Sequence, residues 1–477
     1  MVVSFLVYDI VFLVIFAAFL SVFLYSQRKN LKREGLLLLY KARWGIRLID
    51  YIGKKSSKTF HVLSYISIAT GYLLMVMMFY LIGKIVYIYL TLPSVVQAIK
   101  VPPIIPLVPY LPQVFKLDFL PPFYFTYWII IIAVIAISHE FAHGIFASHN
   151  KLKTKSTGFG FFPFFLPIFL AAFVELDEKK MAKKKKFSQL AILSAGTFAN
   201  LLTAILFFAV IWVFFILAFT PSGIIYDGYP YDVVDVSGIS IVDGVAVESL
   251  NYEEILNLTG ETGLSKIKVN GKDYVTTRDF LEQQRENSGK IILYYDAPAI
   301  NSNLESVILK VNGIEVKNIG DLNNELLKYK PEDKITLNVL SDDGEDYDKD
   351  IVLGENPRNK NSPFLGIAFS SEEGRGILGK IYSFLNFKEP NVYYKQNFEA
   401  SLFVYNLLWW LVLISISVAL INMLPVGIFD GGRFFYLTIW GITKNEKLAR
   451  NLFKFTTYFI LFLLLILMLK WAKVFFF

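Results

Sequence analysis

Six runs of apolar residues, near 3–25, 60–92, 123–148, 187–219, 400–424 and 450–477, constrain this chain more than any other feature of its sequence. A helix needs about 20 apolar residues to cross a hydrocarbon core of about 30 Å, so each run is long enough to span. The run at 60–92 is long enough to tilt or break. The expected fold is a polytopic α-helical membrane protein with about six transmembrane helices. Composition agrees, since 55% hydrophobic and only 18% charged residues is too apolar for a soluble chain. The first run lacks a basic leader and a small-residue cleavage site, so Val3 to Tyr25 reads as a retained span rather than a removed signal.

The net charge of +7 conceals a segregation. Residues 221–390 hold 29 acidic against 17 basic residues, and the rest of the chain holds 30 basic against 11 acidic. The basic residues cluster beside the ends of the runs, at Arg28 to Arg33, Lys54 to Lys58, Lys151 to Lys155 and Lys179 to Lys186. This pattern anchors a chain in a lipid bilayer and is not a nucleic-acid footprint. Basic flanks face the cytoplasm, which places 26–58, 149–186 and 425–449 inside and both termini, 93–121 and 221–390 outside. The expected location is the cell membrane, with multiple passes. No cysteine is present, which excludes disulfides and thiolate chemistry. Segment 35–51 is apolar but interrupted by Lys41, Arg43 and Arg47, and predicts an interfacial amphipathic helix. Four regions follow: 1–122, with N-terminal spans, this amphipathic segment and a proline-rich outer loop; 123–220; an extracytoplasmic α+β block at 221–390; and 391–477.

The block at 221–390 carries short strand-like runs punctuated by Gly, Asn and Asp, and an internal echo. Residues 244–250, GVAVESL, are similar to 313–319, GIEVKNI, and an acidic, Leu-rich, helix-like stretch follows each. The stretch from Ala297 to Leu340 resembles a PDZ domain of the type attached to membrane proteases. That resemblance implies a groove for a peptide ligand taken up by strand addition, with one copy or a tandem pair as the open alternatives. A spacer or size filter is the competing reading.

Chemistry concentrates in the third run, where His139-Glu140-Phe141-Ala142-His143 lies among Ile, Val and Ala. On a helix, positions i and i+4 share a face, so both imidazoles can reach one zinc ion while Glu140 takes a proton from water at that site. An ionisable residue at the middle of a span costs at least about 2.5–3.5 kcal/mol, which argues against an incidental polar cluster. His61 and His149 sit at the ends of runs and read as interfacial. Zinc needs a third ligand. Asn422-Met423-Leu424-Pro425-Val426-Gly427-Ile428-Phe429-Asp430-Gly431-Gly432 follows the fifth run, and its glycines permit a sharp turn that brings Asp430 toward the metal. Alone, that segment also reads as a span-ending turn with a capping Asp. Glu175 and Asp177 are the next candidates.

HEFAHG in one span and NMLPVGIFDGG in a later one resemble the paired motifs of the site-2 protease family, intramembrane zinc metalloproteases. The likeness covers about 123–219 and 400–440 with the PDZ-bearing insertion between. It implies that Asp430 is the third zinc ligand beside His139 and His143, and that Glu140 is the catalytic base. Ala195-Gly196-Thr197-Phe198-Ala199-Asn200 is similar to the family's Ala-Gly-Pro-x-x-Asn, which implies that Asn200 binds the substrate backbone or its carbonyl. Thr197 and Phe429 depart from the usual Pro and Leu. Residues 156–177 occupy the place of the family's membrane-embedded hairpin and can pair as strands. The implied substrates are transmembrane proteins, cut in regulated intramembrane proteolysis, and the charge-based topology puts HExxH, and so the cut, toward the cytoplasmic side. A membrane zinc protease acting on soluble or prenylated chains, and a peptide-binding scaffold or receptor with a non-catalytic metal, are the alternatives.

Overall fold

The computed structural model describes residues 5–34, 37–43, 45–99, 102–117, 119–161, 170–247, 252–284, 289–341, 343–357, 359–369 and 387–476. Two compact units result, one of 1–214 with 402–477 and one of 215–401.

The first unit begins with α1 (Phe5–Ser26), β1 (Leu31–Glu34), β2 (Leu37–Ala42), α2 (Ile46–Lys55) and α3 (Ser57–Thr91). Two short helices, α4 (Pro93–Ile99) and α5 (Leu111–Val114), lead to α6 (Phe125–His149). Then come β3 (Thr154–Phe161), β4 (Leu170–Leu176), α7 (Glu178–Ala182) and α8 (Lys186–Ala218). Among the described residues, six helices are long and apolar enough to cross a membrane: α1, α3, α6, α8, Ser401–Asn422 and the helix that starts at Glu446. The protein is therefore a multi-pass membrane protein. The run at 60–92 neither breaks nor ends early. With 35 residues, α3 is about 52 Å long at 1.5 Å per residue, so it exceeds the hydrocarbon thickness.

The segment expected as one amphipathic helix divides instead. Residues 37–42 form β2, and only from Ile46 is the chain helical. The break is at Gly45, whose φ of 80° is open to glycine. Strand wins over helix at 37–42 because a partner is at hand. Leu38 to Ala42 pair with Phe161 to Thr157 of β3, and β3 pairs with β4, giving an antiparallel sheet in the order β1-β2-β3-β4. Within 156–177 the described residues thus pair as strands; residues 162–169, and the tail of the GVAVESL echo, 248–250, lie outside the described residues. α2 packs against α6 at close range. A Cβ on Gly53 would stand 2.6 Å from the Ile145 carbonyl oxygen, and Asp50 accepts a hydrogen bond from Ser148 Oγ at 2.9 Å.

Asp9 of α1 is 1% exposed and fastens that helix to the start of α6. Its carboxylate accepts the backbone N–H groups of Phe125 and Thr126 at 2.7 and 2.9 Å, and the Tyr110 hydroxyl at 2.6 Å. Tyr124, the capping residue of α6, has no side-chain cap of its own. A carboxylate from a neighbouring helix therefore satisfies the orphan donors and meets the positive end of the helix dipole.

The second unit is β-rich. It runs through β5 (Phe219–Ile225), β6 (Tyr231–Asp235), β7 (Ile239–Val242), β8 (Val245–Ala246), α9 (Tyr252–Leu258), β9 (Ser265–Val269), β10 (Lys272–Thr276), α10 (Arg278–Glu282) and β11 (Lys290–Tyr295). It continues through α11 (Pro298–Asn301), β12 (Val307–Val311), β13 (Ile314–Glu315), α12 (Ile319–Leu326), β14 (Lys334–Leu340), β15 (Asp346–Val352), β16 (Gly354–Asn356), β17 (Asn359–Phe364) and β18 (Val392–Gln396). One sheet has the order β6-β11-β10-β9-β7-β8 and the other β15-β14-β12-β5-β18, each over its own apolar core. The echo in sequence is an echo in structure. β7-β8-α9-β9 and β12-β13-α12-β14 are the same succession, and the turns Asp243-Gly244 and Asn312-Gly313 both take positive φ at their two central residues.

The first unit is completed by α13 (Ser401–Asn422), α14 (Asp430–Thr443) and α15 (Glu446–Phe476). Its core joins α3, α6, α8 and α14 through Leu74, Phe146, Ala195, Met423 and Phe434.

Candidate metal centre

Helix periodicity puts His139 and His143 one turn apart on one face of α6, both buried, with ring centroids 4.7 Å apart. The second component arrives through the break between α13 and α14. Gly431 and Gly432 lie flat against that turn: a Cβ on Gly431 would overlap the backbone of Met423, and one on Gly432 the carbonyl oxygen of Val426. Phe429 holds the capping position of α14. Asp430, the first helical residue, is thus free to turn inward. Its Oδ2 lies 3.2 Å from His143 Nε2 and 3.3 Å from His139 Nε2, and the two Nε2 atoms are 3.0 Å apart.

These three distances fit a metal. A tetrahedral zinc ion with bonds of about 2.0–2.1 Å holds its ligand atoms roughly 3.3–3.4 Å apart, so a contraction of a few tenths separates the triangle from that geometry. Among the described residues, His139, His143 and Asp430 are the group of three that can share one ion. Gly196 of α8 keeps the place open. A Cβ there would stand 2.5 Å from the Nε2 of both histidines, so any larger residue would enter the space the metal needs.

The outer nitrogens of the rings are also engaged, both from α8. His143 Nδ1 donates to the Ile192 carbonyl at 2.7 Å, and the Asn200 amide nitrogen lies 3.0 Å from His139 Nδ1. Asn200 is fully buried behind His139. Glu140, half-buried, accepts the backbone N–H of Val174 at 2.8 Å, which ties it to the edge of β4 that faces away from β3. Glu175 and Asp177 are occupied elsewhere. Glu175 takes hydrogen bonds from Lys41 at 2.8 Å and Ser156 at 2.6 Å, and Asp177 caps α7.

A cavity of about 1170 Å³ reaches the three donors and Glu140. Ile131, Ile135, Ile414 and Val418 make an apolar wall, and Lys155, Glu175, Asp177, Lys179 and Arg433 make a charged one. The cavity therefore brings an apolar surface and charged groups together at the three donors. The histidine pair and Asp430 were legible as motifs. The backbone groups of Val174 and Ile192 were not, because nothing in a sequence marks a carbonyl or an N–H that tertiary packing will aim. Asp9 did carry a signal, as a lone carboxylate in an apolar run.

Membrane-spanning helices that bring an HExxH pair, a converging aspartate and a neighbouring glutamate together define a membrane metallopeptidase. The model of peptidase family M50 matches residues 127–467, and the chain belongs to that family, whose members are zinc-dependent. An uncharacterized protein of Methanocaldococcus jannaschii is 34% identical over 203 residues, 40% of this chain and 48% of that relative. The chain thus matches about half the length of this relative.

Proposed function

We propose that this protein is an intramembrane zinc metalloprotease that hydrolyses peptide bonds in the spanning segments of membrane-anchored substrates. His139, His143 and Asp430 would hold the zinc. The convergence of their three donor atoms within 3.0–3.3 Å, among spanning helices and beside Glu140, carries the reading. Bound zinc supplies Lewis acidity, which eases loss of a proton from water and polarises a carbonyl.

Glu140 is the general base: it removes a proton from the attacking water and returns it to the leaving amine, so that OH is added to the carbonyl carbon and H to the nitrogen. A substrate helix hides its peptide bonds, and exposing them in lipid costs several kcal/mol per unsatisfied group. β4 offsets this cost. Its outward edge, where the Val174 N–H meets Glu140, would give its other backbone groups to an extended peptide alongside the donors. The basic flanks of the spans support a cytoplasmic position for the site, and the block at 221–390, read as PDZ-like and extracytoplasmic, would select substrates by capturing or excluding their outer portions.

The test is Glu140→Gln. It keeps both imidazoles and removes the base, so near-stoichiometric zinc with loss of cleavage of a membrane-spanning substrate is expected. Undiminished cleavage by a clean preparation of this variant would sink the assignment.

A further inference from the structure

We propose that Asn200 is a positioning residue for His139: its amide oxygen accepts the Nδ1 hydrogen and so leaves Nε2 free to donate to the metal. This rests on the zinc reading above and assigns Asn200 a role other than contact with substrate.

Three observations carry it. First, a histidine that ligates through Nε2 must carry its hydrogen on Nδ1, and that hydrogen needs an acceptor. His143 meets this condition through the Ile192 carbonyl at 2.7 Å. For His139 the neighbour at Nδ1 is the Asn200 amide at 3.0 Å. If the NH2 group faced Nδ1, the ring hydrogen would be driven to Nε2, into the space between His143 and Asp430. That tautomer cannot ligate. Half a turn of the amide exchanges its oxygen for its nitrogen at almost no cost in volume and gives Nδ1–H its acceptor.

Second, with the NH2 group toward the ring, Asn200 Oδ1 is buried and has no hydrogen-bond partner. A buried unmatched acceptor is costly, and the rotated amide uses that oxygen. Third, Asn200 is fully buried and does not line the cavity, so a substrate in the cavity does not reach it.

The three α8 residues that serve the rings, Ile192, Gly196 and Asn200, follow at intervals of four and therefore share one helix face. A carbonyl, a gap and an amide stand in sequence on it. Gly196 lets α8 approach the rings, and the polar groups one turn to either side orient them. The Ala195–Asn200 motif thus acquires a mechanical meaning.

The experiment uses the full-length chain in detergent, as wild type, Asn200→Ala, Asn200→Leu and Asn200→Asp. Zinc affinity is measured by competition with a chromophoric chelator, and geometry by the visible absorption of the Co2+-loaded protein. The Ala and Leu variants are expected to lose roughly ten- to a hundredfold in zinc affinity and to show an altered Co2+ spectrum. The Asp variant, which keeps an acceptor oxygen, should stay near the wild-type affinity. Leu fills the volume of Asn, so a cavity effect confined to the Ala variant is recognised. Wild-type affinity and spectrum in both apolar variants, with an effect only on KM, would overturn the proposal and return Asn200 to substrate binding. Equal loss in all three variants would also overturn it. A wild-type chain that takes up no zinc, or a His139→Ala chain that keeps it, would overturn the zinc reading beneath.

Discussion

Gly196 has no room to change, and its neighbours explain why. A methyl group 2.5 Å from two imidazole nitrogens must displace them or be displaced. Gly196→Ala is therefore expected to lower zinc affinity by on the order of tenfold or more, measured by chelator competition; an unaltered affinity would show that the helices separate freely here. Asp430→Ala goes further. Loss of a residue that merely orients a ligand costs about 10–100-fold, and loss of a ligand should exceed that, since two imidazoles leave zinc under-coordinated. Zinc stoichiometry and affinity equal to wild type in this variant would mean that another group completes the site. His139, Glu140, His143 and Asp430 were legible because each motif is local in sequence. Their mutual distances were not, because they depend on where the break after α13 ends.

At the scale of elements, the sheet β1-β2-β3-β4 brings a segment from before the second span onto the hairpin beside the site. Lys41 of β2 reaches across β3 to Glu175 of β4 at 2.8 Å. That contact, with the Ser156 hydroxyl, holds the Glu175 carboxyl below its ordinary value of 4.5. A carboxyl whose value falls on folding adds stability in full above its unfolded value, and the contribution disappears as pH falls through the folded one. Above about pH 5, Glu175→Gln should therefore melt slightly below wild type, by less than about 1 kcal/mol for a partly exposed pair. The two should converge in acid. A difference that does not shrink in acid would show that Glu175 acts through packing rather than charge. The helix expected over 35–51 formed only from Ile46, and it gave way before that for a reason of pairing: β-strand at 37–42 depends on a partner about 120 residues away in sequence.

At the scale of the molecule, the chain leaves for the second unit and returns from it on neighbouring strands. β5 pairs with β18 from Phe219↔Gln396 to Ile224↔Val392. Replacing residues 226–391 by a short turn keeps this ladder and removes both repeated β-rich halves. Zinc binding by the remaining unit is expected to be unchanged, while the choice of substrates changes. If the block is a size filter, substrates with large outer domains become cleavable. If it captures peptides, the natural substrate is cut with a higher KM as a tethered contact is lost. Equal cleavage of full-length and outer-truncated substrates by both forms would reduce the block to a spacer.

Apolar run length determined the spans, because lipid leaves the backbone of such a run only helix or closed sheet. The i, i+4 spacing determined that two imidazoles share a face. The repeat was audible in the echo of residues 244–250 by 313–319, each followed by an acidic, Leu-rich stretch; that both copies begin at a turn of positive φ, at Asp243-Gly244 and Asn312-Gly313, came from the structure. Other features needed the assembled fold. The capping of α6 by Asp9, the tie between Glu140 and Val174, the seat for two rings on Ile192, Gly196 and Asn200, and the pairing of β2 with β3 each join residues that are remote in sequence. Local pattern reports what a segment prefers; which backbone donor or acceptor meets a given side chain is settled only when the helices pack.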